Sequence, residues 1–333
     1  MIEITRAGLL TTVQDLGRYG TQCFGVPVSG AMDAHALRIA NRLVANDDNA
    51  AGLEVTLAGP LLKFHADALV AVCGGDWQLS IGKKSFPMNR PVWIASGSQL
   101  DVGQALAGCR TYIAIAGGID VAPVLGSRAT YLRSGFGGLK GRALKKGDRI
   151  GVSAVANPLF PGLRNAPAFS DYGFAAPKWS VRVDSDRVSL RPQRIRFLAG
   201  RHWAQLAEDV RGAFLGKIFR VGTASDRMGY RLEGVHLGQH EYGNIASEAV
   251  AFGTIQLPPD GSPIILMADR QTVGGYPRVG EVASVDLPLL AQLKPGDTLR
   301  FEDISLTEAH RLIHEQEISL AQMQASVSAM HNR

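Results

Sequence analysis

The sequence predicts a mainly β (α+β) protein with a few short helices, and three observations support this fold class. Its apolar runs are short, rich in β-branched residues and bounded by Gly, Pro or Asp. The 333 residues include 38 glycines and 16 prolines, which favours many tight turns. The few helical patterns do not alternate regularly with the strands. Together these features favour antiparallel barrels or sandwiches over a doubly wound sheet.

Short apolar segments with strand composition occur throughout the chain. Turn residues separate them, as expected of strands in a barrel or sandwich. The predicted strands are Ala68–Cys73, Pro91–Ala95, Arg110–Ala116, Arg194–Leu198, Ile218–Val221, Pro263–Ala268 and Leu299–Glu302.

Helical periodicity is clearest in two segments. In Asp33–Ala45, Asp33 can cap the first turn, and one face is apolar, formed by Leu37, Ala40, Leu43 and Val44. The tail from Thr307 to about Met330 has an apolar stripe of Ala309, Leu312 and Ile313. Asp286–Leu293 predicts a short helix, and Gln205–Val210 has a weaker helical pattern.

A proline-bearing stretch near the middle of the chain predicts two domains. Residues 154–180 include Asn157-Pro158 and Pro161-Gly162 and show little periodicity, as in many interdomain segments. We expect an N-terminal lobe over residues 1–155, an inter-lobe segment over 156–192, a C-terminal lobe over 193–303 and a helical tail over 304–333.

A weak internal repeat suggests that the two halves arose by duplication. Each half contains, in the same order, an aromatic-x-Val pair, a Ser-x-x-Met motif and a Glu-x4-Gly motif. In the first half these begin at Phe24, Ser29 and Glu54, and in the second at Phe219, Ser225 and Glu248. Each half also closes on a Gly-Asp turn before a strand, at Gly147-Asp148 and Gly296-Asp297.

Charge and cysteine content argue against several classes of protein. The net charge of +5 is dispersed, without the basic, aromatic-interleaved run of a nucleic-acid-binding protein. The three cysteines, Cys23, Cys73 and Cys109, are far apart and predict neither a disulfide framework nor a zinc site. No signal peptide or membrane-spanning run is apparent, so we expect a cytoplasmic protein that binds neither membrane nor nucleic acid.

Three polar stretches are candidates for a binding or catalytic site. Residues 11–18 combine hydroxyls, an amide, a carboxylate and a guanidinium, and an Arg here could bind an anion in bidentate fashion. Residues 225–232 place two arginines beside Asp226. Residues 267–277 follow an apolar strand, and their Gly274-Gly275 pair could bring backbone N–H groups close to an oxygen. Each stretch also has a structural alternative: a loop with an internal Asp–Arg pair for 11–18, an ordinary solvated loop for 225–232, and a hairpin turn that needs glycine for 267–277.

Weaker candidates have competing explanations. The glycine-rich residues 135–142 could hold an anion or form a flexible basic loop, because they match no phosphate-binding motif. Glu54 and Glu248 could be acid/base carboxylates or acceptors of backbone N–H groups. The pairs His236/His240 and His310/His314 do not match H-E-x-x-H, and we predict no metal in this chain.

The polar stretches are also the segments in which the chain resembles a known family. The runs 11–18, 25–33 and 40–44, then 116–119, 125–128, 225–232, 253–258 and 271–277, resemble in order those of the allophanate hydrolase subunit 2 family. This family is also called KipA-like or biotin-dependent carboxyltransferase-like. The likeness extends over about residues 5 to 303.

This resemblance implies a fold and a function. Members have cyclophilin-like β-barrel domains, so we expect two of them here. Stand-alone bacterial members are identified as the C subunit (PxpC) of ATP-dependent 5-oxoprolinase, which opens 5-oxo-L-proline to L-glutamate together with a KipI-like B subunit and a LamB/YcsF-like A subunit. ATP would be bound by the complex. A Met-Lys-Met biotin attachment site is absent from the sequence, so we expect no covalent biotin on this chain.

The resemblance and the shared amide chemistry suggest roles for particular residues. Opening a lactam requires a carboxylate anchor, an acceptor for the lactam N–H and stabilisation of charge on the carbonyl oxygen. We expect Arg227 or Arg18 to anchor the carboxylate. The expected catalytic carboxylates are Asp15, Asp226 and Asp269. The expected substrate-binding residues are Gln14, Arg18, Met32, Arg227, Met228, Arg231, Gln271, Thr272, Gly274, Gly275 and Tyr276.

Two other functions remain open from the sequence. The first is a carboxyltransferase component that moves a carboxyl group from carboxybiotin to urea or a similar amide. The second is a KipA-like regulatory protein that binds its partner without turnover.

Overall fold

The structure, a computed structural model, describes residues 1–154, 159–182, 191–238 and 245–330. The chain divides into two compact units. The first unit comprises Met1–Gly17, Asp33–Ser185 and Ile318–Arg333, and the second comprises Arg18–Met32 and Asp186–Glu317. Segment 18–32 therefore belongs to the second unit although the chain on both sides of it belongs to the first.

The first unit is a sheet with short helices. Its strands are β1 (Ile2–Arg6), β2 (Leu10–Gln14), β3 (Gly52–Thr56), β4 (Leu61–Phe64), β5 (Ala68–Ile81), β6 (Lys84–Ser85), β7 (Val92–Ile94), β8 (Gln99–Ile115), β9 (Ile119–Asp120), β10 (Arg149–Val152) and β11 (Phe174–Ala175). Its helices are α1 (Ala34–Leu43), α2 (Pro161–Arg164) and α3 (Pro167–Tyr172).

The long strand β8 organises the first unit into one 11-stranded sheet. β8 pairs with β5 along most of its length, while β3 and β4 pair with different parts of it. These strands bury an aliphatic core around Ile4, Leu53 and Ile113, all fully buried. Buried residues alternate along β4 and along the C-terminal half of β5, the period-2 pattern of strands with one core face, whereas the N-terminal half of β5 is buried on both faces.

Helix α1 forms as its sequence predicts. The Asp33 side chain accepts a hydrogen bond from the Ala36 N–H at 2.9 Å, which satisfies one free donor of the first turn. The predicted apolar face packs inward, with Leu37, Ala40 and Leu43 fully buried.

The second unit is a closed barrel, with further strands and helices outside it. Its strands are β12 (Gln193–Ala199), β13 (Phe219–Val221), β14 (Gly229–Glu233), β15 (Glu248–Ala249), β16 (Thr254–Gln256), β17 (Ile264–Leu266), β18 (Val273–Gly274), β19 (Arg278–Val282) and β20 (Thr298–Asp303). The barrel order is β12-β19-β16-β17-β14-β13-β20, and β15 and β18 form a separate two-stranded ladder.

The barrel closes through a parallel pair, β12 with β20, and is filled by aromatic side chains. Phe214 and Phe301 stack with ring centroids 4.4 Å apart, and Phe197 meets both rings edge-on. Helix α4 (Glu208–Gly216) supplies Phe214, and α5 (Leu287–Ala291) buries Leu289 and Leu290.

The predicted mainly β fold class and its strands are confirmed, and one helix boundary needs correction. Trp203–Gln205 forms a 3-10 turn, and Leu206 is extended, so α4 begins at Glu208 instead of Gln205. The tail helix α6 spans Leu306–Ser328, close to its predicted bounds. No helix in the described part of the chain is long and apolar enough to cross a bilayer.

The two Gly-Asp turns have the same internal geometry, which supports the proposed duplication. Gly147 and Gly296 have φ of 88° and 92°, a conformation that favours glycine. Asp148 and Asp297 each accept a hydrogen bond from the N–H three residues earlier. Each glycine N–H also donates to a strand carbonyl at 2.8 Å, that of Ile4 or Val221.

The upstream motifs of the repeat are not structurally equivalent. Phe24 is 80% exposed in a 3-10 turn, whereas Phe219 is fully buried in β13. Glu54 lies within the large sheet, and Glu248 lies in the small β15–β18 ladder. Through the turns, β1 in the first half corresponds to β13 in the second. The two halves therefore correspond at the turns, but Phe24 does not correspond to Phe219.

Candidate functional site

A buried ion pair in the second unit joins two of the predicted polar stretches. Arg227 precedes β14 and Asp269 follows β17, and the two strands are antiparallel neighbours. The pairing continues past their ends, with Met267 N–H donating to Met228 at 2.9 Å and Asp269 N–H donating to Arg227 at 2.7 Å. This brings together side chains that are 42 positions apart.

The guanidinium of Arg227 binds the carboxylate of Asp269 in bidentate fashion. Nε donates to Oδ2 at 2.9 Å and Nη2 donates to Oδ1 at 3.0 Å. Arg227 is 5% exposed and Asp269 is 4% exposed. A pair this deeply buried is stable only when its remaining hydrogen-bonding capacity is also used.

Segment 18–32 supplies that additional bonding. The Ser29 hydroxyl donates to Asp269 Oδ1 at 2.5 Å, and Arg227 Nη2 also donates to the Gly30 carbonyl at 2.6 Å. Ser29 has a φ of 57°, the left-handed region. Met32, at the end of the segment, is fully buried in the barrel core. The structure therefore brings the predicted Met32, Arg227 and Asp269 into one unit and commits both charged side chains to each other.

The β15–β18 ladder holds a second group of charged side chains. Glu248 Oε2 accepts from Arg201 at 3.1 Å and lies 3.8 Å from Arg278 Nη1. Arg278 also pairs with Glu281, whose Oε1 accepts from both Nε at 3.1 Å and Nη2 at 2.6 Å. Thr254 donates to the other Glu281 oxygen at 2.7 Å. Glu248 is thus held by arginines and lies beside the predicted glycine pair, because it is opposite Gly274 in the ladder.

The two predicted glycines differ in how tightly they are packed. A Cβ on Gly274 would lie 2.5 Å from Nε2 of the buried Gln256. A Cβ on Gly275 would have its nearest neighbour, Ser247 Oγ, at 3.4 Å, which is ordinary contact. A side chain at Gly274 would therefore have to displace the buried Gln256 amide, whereas Gly275 could accept a Cβ at ordinary contact distance.

Arg270, which no sequence pattern singled out, is the most unusual charged residue of this region. It is 9% exposed, and its Nε contacts the Val250 carbonyl at 3.4 Å. Burial lowers the pKa of the guanidinium, and the nearby Tyr19 and Glu281 offset this only in part. The adjacent Asp269 pairs with Arg227 and not with Arg270.

The remaining predicted residues of the second unit differ in their exposure and bonding. Asp226 caps its own turn, accepting from the Met228 N–H at 2.7 Å. Arg18 is 1% exposed, and its backbone N–H donates to Val28. Arg231 and Gln271 are exposed, Thr272 is half-buried and Tyr276 is 45% exposed.

In the first unit, Asp15 acts as a structural acceptor for the chain around it. Its Oδ1 accepts from the Ser127 hydroxyl at 2.7 Å and from the Gly17 N–H at 2.8 Å. Its Oδ2 accepts from the Arg128 N–H at 2.5 Å. Gln14 is fully buried and donates to Thr12 and to the Thr130 carbonyl.

Glu54 belongs to a buried polar group in the first unit. Tyr112 Oη donates to Glu54 Oε2 at 2.7 Å and accepts from the Asp33 N–H at 2.7 Å. Arg110 Nε lies 3.9 Å from Glu54 Oε1. Burial, and then the nearby Glu54 charge, raise the pKa of Tyr112 well above its ordinary value. These contacts favour the structural interpretation of Glu54.

The glycine-rich residues 135–142 form a tight, internally bonded loop. The N–H groups of Gly138 and Gly141 donate to the carbonyls of Arg128 and Gly137. A Cβ on Gly141 would lie 1.8 Å from the Gly135 carbonyl oxygen, so glycine is required by the packing. These donors are directed within the protein, which argues against an anion cradle.

The structure describes only part of the predicted His236/His240 pair. His240 and the adjacent Glu241 lie outside the described residues. Among the residues described, no three His, Cys, Asp or Glu side chains cluster in a way that could hold a metal ion. The absence of a metal stays a prediction.

Comparison with known proteins identifies the family. The sequence model of the carboxyltransferase domain, subdomain A and B, matches residues 24–303. The chain belongs to this family. The resemblance recognised in the polar stretches is thereby confirmed.

The curated relatives include free-standing subunits and parts of larger enzymes. The chain is 36% identical to the 5-oxoprolinase C subunit of Escherichia coli over 95% of its length and 96% of that protein. It is 35% identical to the 5-oxoprolinase C subunit of Haemophilus influenzae, covering 98% of this chain and 99% of the relative. Urea amidolyase of Lachancea kluyveri is 33% identical, but the chain covers only 18% of that protein.

Solved structures agree with the family assignment. The urea amidolyase of Kluyveromyces lactis superimposes with a TM-score of 0.81 at 31% identity, over 97% of this chain and 20% of that protein. The urea carboxylase of the same yeast gives a TM-score of 0.80 at 31% identity, over 97% of this chain and 29% of that protein. The homologues indicate a role in enzyme complexes.

Proposed function

We propose that this chain is the C subunit of an ATP-dependent 5-oxoprolinase, which opens 5-oxo-L-proline to L-glutamate. The observation that carries the proposal is the length of the match. The chain covers 96% and 99% of two 5-oxoprolinase C subunits but 18% of a urea amidolyase. A KipI-like B subunit and a LamB/YcsF-like A subunit are the proposed partners, and ATP would be bound by the assembled complex.

The reaction explains why a polar, charge-neutralised site is useful. An unstrained lactam resists hydrolysis because amide resonance must be broken. Phosphorylation of the carbonyl oxygen by ATP turns that oxygen into a leaving group. Water then attacks the carbonyl carbon, and the ring nitrogen leaves as the amine, which gives an acyl phosphate of glutamate. A second water hydrolyses this acyl phosphate and releases phosphate and the side-chain carboxylate of L-glutamate. Positioning and electrostatic stabilisation supply the catalysis of such steps.

We place the substrate in the second unit, beside residues 267–277. Gly274-Gly275 and Gln271 would face the lactam carbonyl, with Thr272 and Tyr276 beside them. Asp269, fixed by Arg227 and Ser29, is a rigid part of the wall, because its carboxylate already accepts three hydrogen bonds. The contacts of Asp15 support a structural role for that residue in the first unit.

The experiment is reconstitution with the proposed partners. The purified chain, the KipI-like protein and the LamB/YcsF-like protein are assayed alone and together for phosphate and L-glutamate release from ATP and 5-oxo-L-proline. We expect turnover only in the full mixture. Phosphate release without glutamate, or no response to 5-oxo-L-proline, would contradict the proposal.

The second candidate is a carboxyltransferase component, which the likeness to urea amidolyase and urea carboxylase favours. In this case carboxybiotin carried by another protein would transfer its carboxyl group to urea or a similar amide. Incubating the chain with carboxybiotin and urea separates the two proposals. Urea-dependent loss of carboxybiotin without 5-oxo-L-proline turnover would establish the second.

A further inference from the structure

Among the residues that the structure describes, the charged groups around the β15–β18 ladder carry a surplus positive charge. The guanidinium groups are those of Arg201, Arg270 and Arg278, and the carboxylates are those of Glu248 and Glu281. Both carboxylates contact Arg201 or Arg278 directly. The adjacent Asp269 is neutralised by Arg227. The charge left over is that of Arg270.

Arg270 is buried without the partner that such burial normally requires. A guanidinium with nine-tenths of its residue removed from water is ordinarily paired with a carboxylate. In the part of the chain that the structure describes, Arg270 forms no ion pair, and its only side-chain hydrogen bond is the 3.4 Å contact of Nε with Val250. The N–H groups of Nη1 and Nη2 are therefore available as donors, and the 9% exposure of the residue gives a ligand access to them.

The loop around Arg270 holds the guanidinium in place. The Arg270 N–H donates to the Met267 carbonyl at 3.2 Å, and the Val250 N–H donates to the Thr272 carbonyl at 3.2 Å. Arg278 binds the neighbouring Ala249 carbonyl at 3.2 Å. The two guanidinium groups thus contact consecutive carbonyls of one strand edge, and an anion beside Arg270 would relieve the repulsion between them.

We propose that Arg270 binds the carboxylate of a small-molecule ligand in the second unit, in the role that the sequence assigned to Arg227 or Arg18. The identification of that ligand as 5-oxo-L-proline rests on the proposed function. A planar guanidinium matches a carboxylate through two parallel hydrogen bonds. The single surplus charge fits a monoanion better than the more highly charged phosphates of a nucleotide.

The test is binding to the full chain, alone and assembled with its partners, by isothermal titration calorimetry. The ligands are 5-oxo-L-proline, 2-pyrrolidinone, which is the same lactam without a carboxylate, and inorganic phosphate. The variants are Arg270→Gln and Arg270→Lys. The matched control is Arg300→Gln, which removes the same charge from an exposed position of β20.

Loss of one partner of a buried, hydrogen-bonded charge pair weakens binding by about two or more powers of ten. We expect Arg270→Gln to weaken 5-oxo-L-proline binding about 100-fold. Arg270→Lys should weaken it about 10-fold, because lysine keeps the charge but cannot form the two parallel hydrogen bonds of a guanidinium. Binding of 2-pyrrolidinone should not change. Arg300→Gln should bind like the wild type.

The outcomes separate this proposal from the proposed function. If the assembled enzyme opens 5-oxo-L-proline and Arg270→Gln leaves its KM unchanged, the Arg270 proposal is wrong and the function stands. A different result would be no turnover, with binding of acetate and L-proline by the wild type but not by Arg270→Gln. The proposed function would then be wrong, and the proposed carboxylate site would stand. Two results would overturn the proposed carboxylate site. One is that Arg270→Gln loses only phosphate binding, and the other is that neither the chain nor the complex binds any carboxylate. Should Arg270→Gln not fold, Arg270→Lys decides.

Discussion

Replacing Asp269 should destabilise the second unit strongly, because it removes the carboxylate that accepts two hydrogen bonds from the buried Arg227 guanidinium. The carboxylate accepts two hydrogen bonds from Arg227 and one from Ser29, and both charged residues are 5% exposed or less. Breaking a buried pair from one side costs about 3–5 kcal/mol. We expect Asp269→Asn to lower the free energy of unfolding by that amount.

A double-mutant cycle isolates the pair from other effects of the substitution. Arg227→Met and Asp269→Leu should each cost about 3–5 kcal/mol, whereas the double variant should cost less than either because no buried charge is left. The resulting coupling, the sum of the single costs minus the cost of the double variant, should therefore exceed about 3 kcal/mol. The control is Asp303→Asn, an exposed carboxylate of β20 in the same unit.

The assay is urea unfolding of each variant together with hydrogen exchange of peptides from β14 and β17. Exchange assigns the loss of stability to the second unit, since the two residues lie at the ends of these strands. A loss below about 1 kcal/mol for Asp269→Asn, with additive single variants, would refute the account.

Three further predictions rest on local geometry. Asp148→Asn and Asp297→Asn should each cost about 1–2 kcal/mol in urea unfolding at pH 7. The pKa of each carboxyl is lowered, by hydrogen bonds from Arg142 and Arg191 among other contacts. The stabilisation is therefore complete above the unfolded pKa of about 4 and is lost as the pH falls through the lower folded pKa. The difference in urea midpoint between wild type and variant should be smaller at pH 2 than at pH 7. An equal difference at both pH values would contradict this prediction. Gly274→Ala should lower the free energy of unfolding by about 1–3 kcal/mol through overpacking, and Gly275→Ala by less than about 0.5 kcal/mol. Thermal melting measures both, and equal losses of stability would contradict the difference in packing. Tyr112→Phe should cost about 1–3 kcal/mol in the same assay, because the Glu54 carboxylate and a backbone N–H lose their partner, and an unchanged melting temperature would count against this.

Local pattern predicted the parts of the fold that are governed by local physics. Helix α1 combines a capping Asp with an apolar face of period 3.6, and the structure confirms both. The turns at Gly147 and Gly296 follow from the need for positive φ. Strand composition likewise located the segments that form the barrel of the second unit.

The arrangement of the candidate site depends on contacts that local pattern does not encode. Nothing in residues 18–32 indicates that they join the second unit, because that depends on the burial of Met32 and the bonds of Ser29 at long range. Arg227 and Asp269 were each recognised as polar candidates, but their pairing needs the alignment of β14 and β17. Because Asp269 is bound by Arg227, it forms no ion pair with the adjacent Arg270.

The central claim is that this chain is required for the opening of 5-oxo-L-proline. The most direct measurement is L-glutamate release from 5-oxo-L-proline and ATP by the reconstituted enzyme, with this chain present or omitted. The account predicts glutamate and phosphate in equal amounts when the chain is present and no glutamate without it. Equal glutamate release in its absence would contradict the claim.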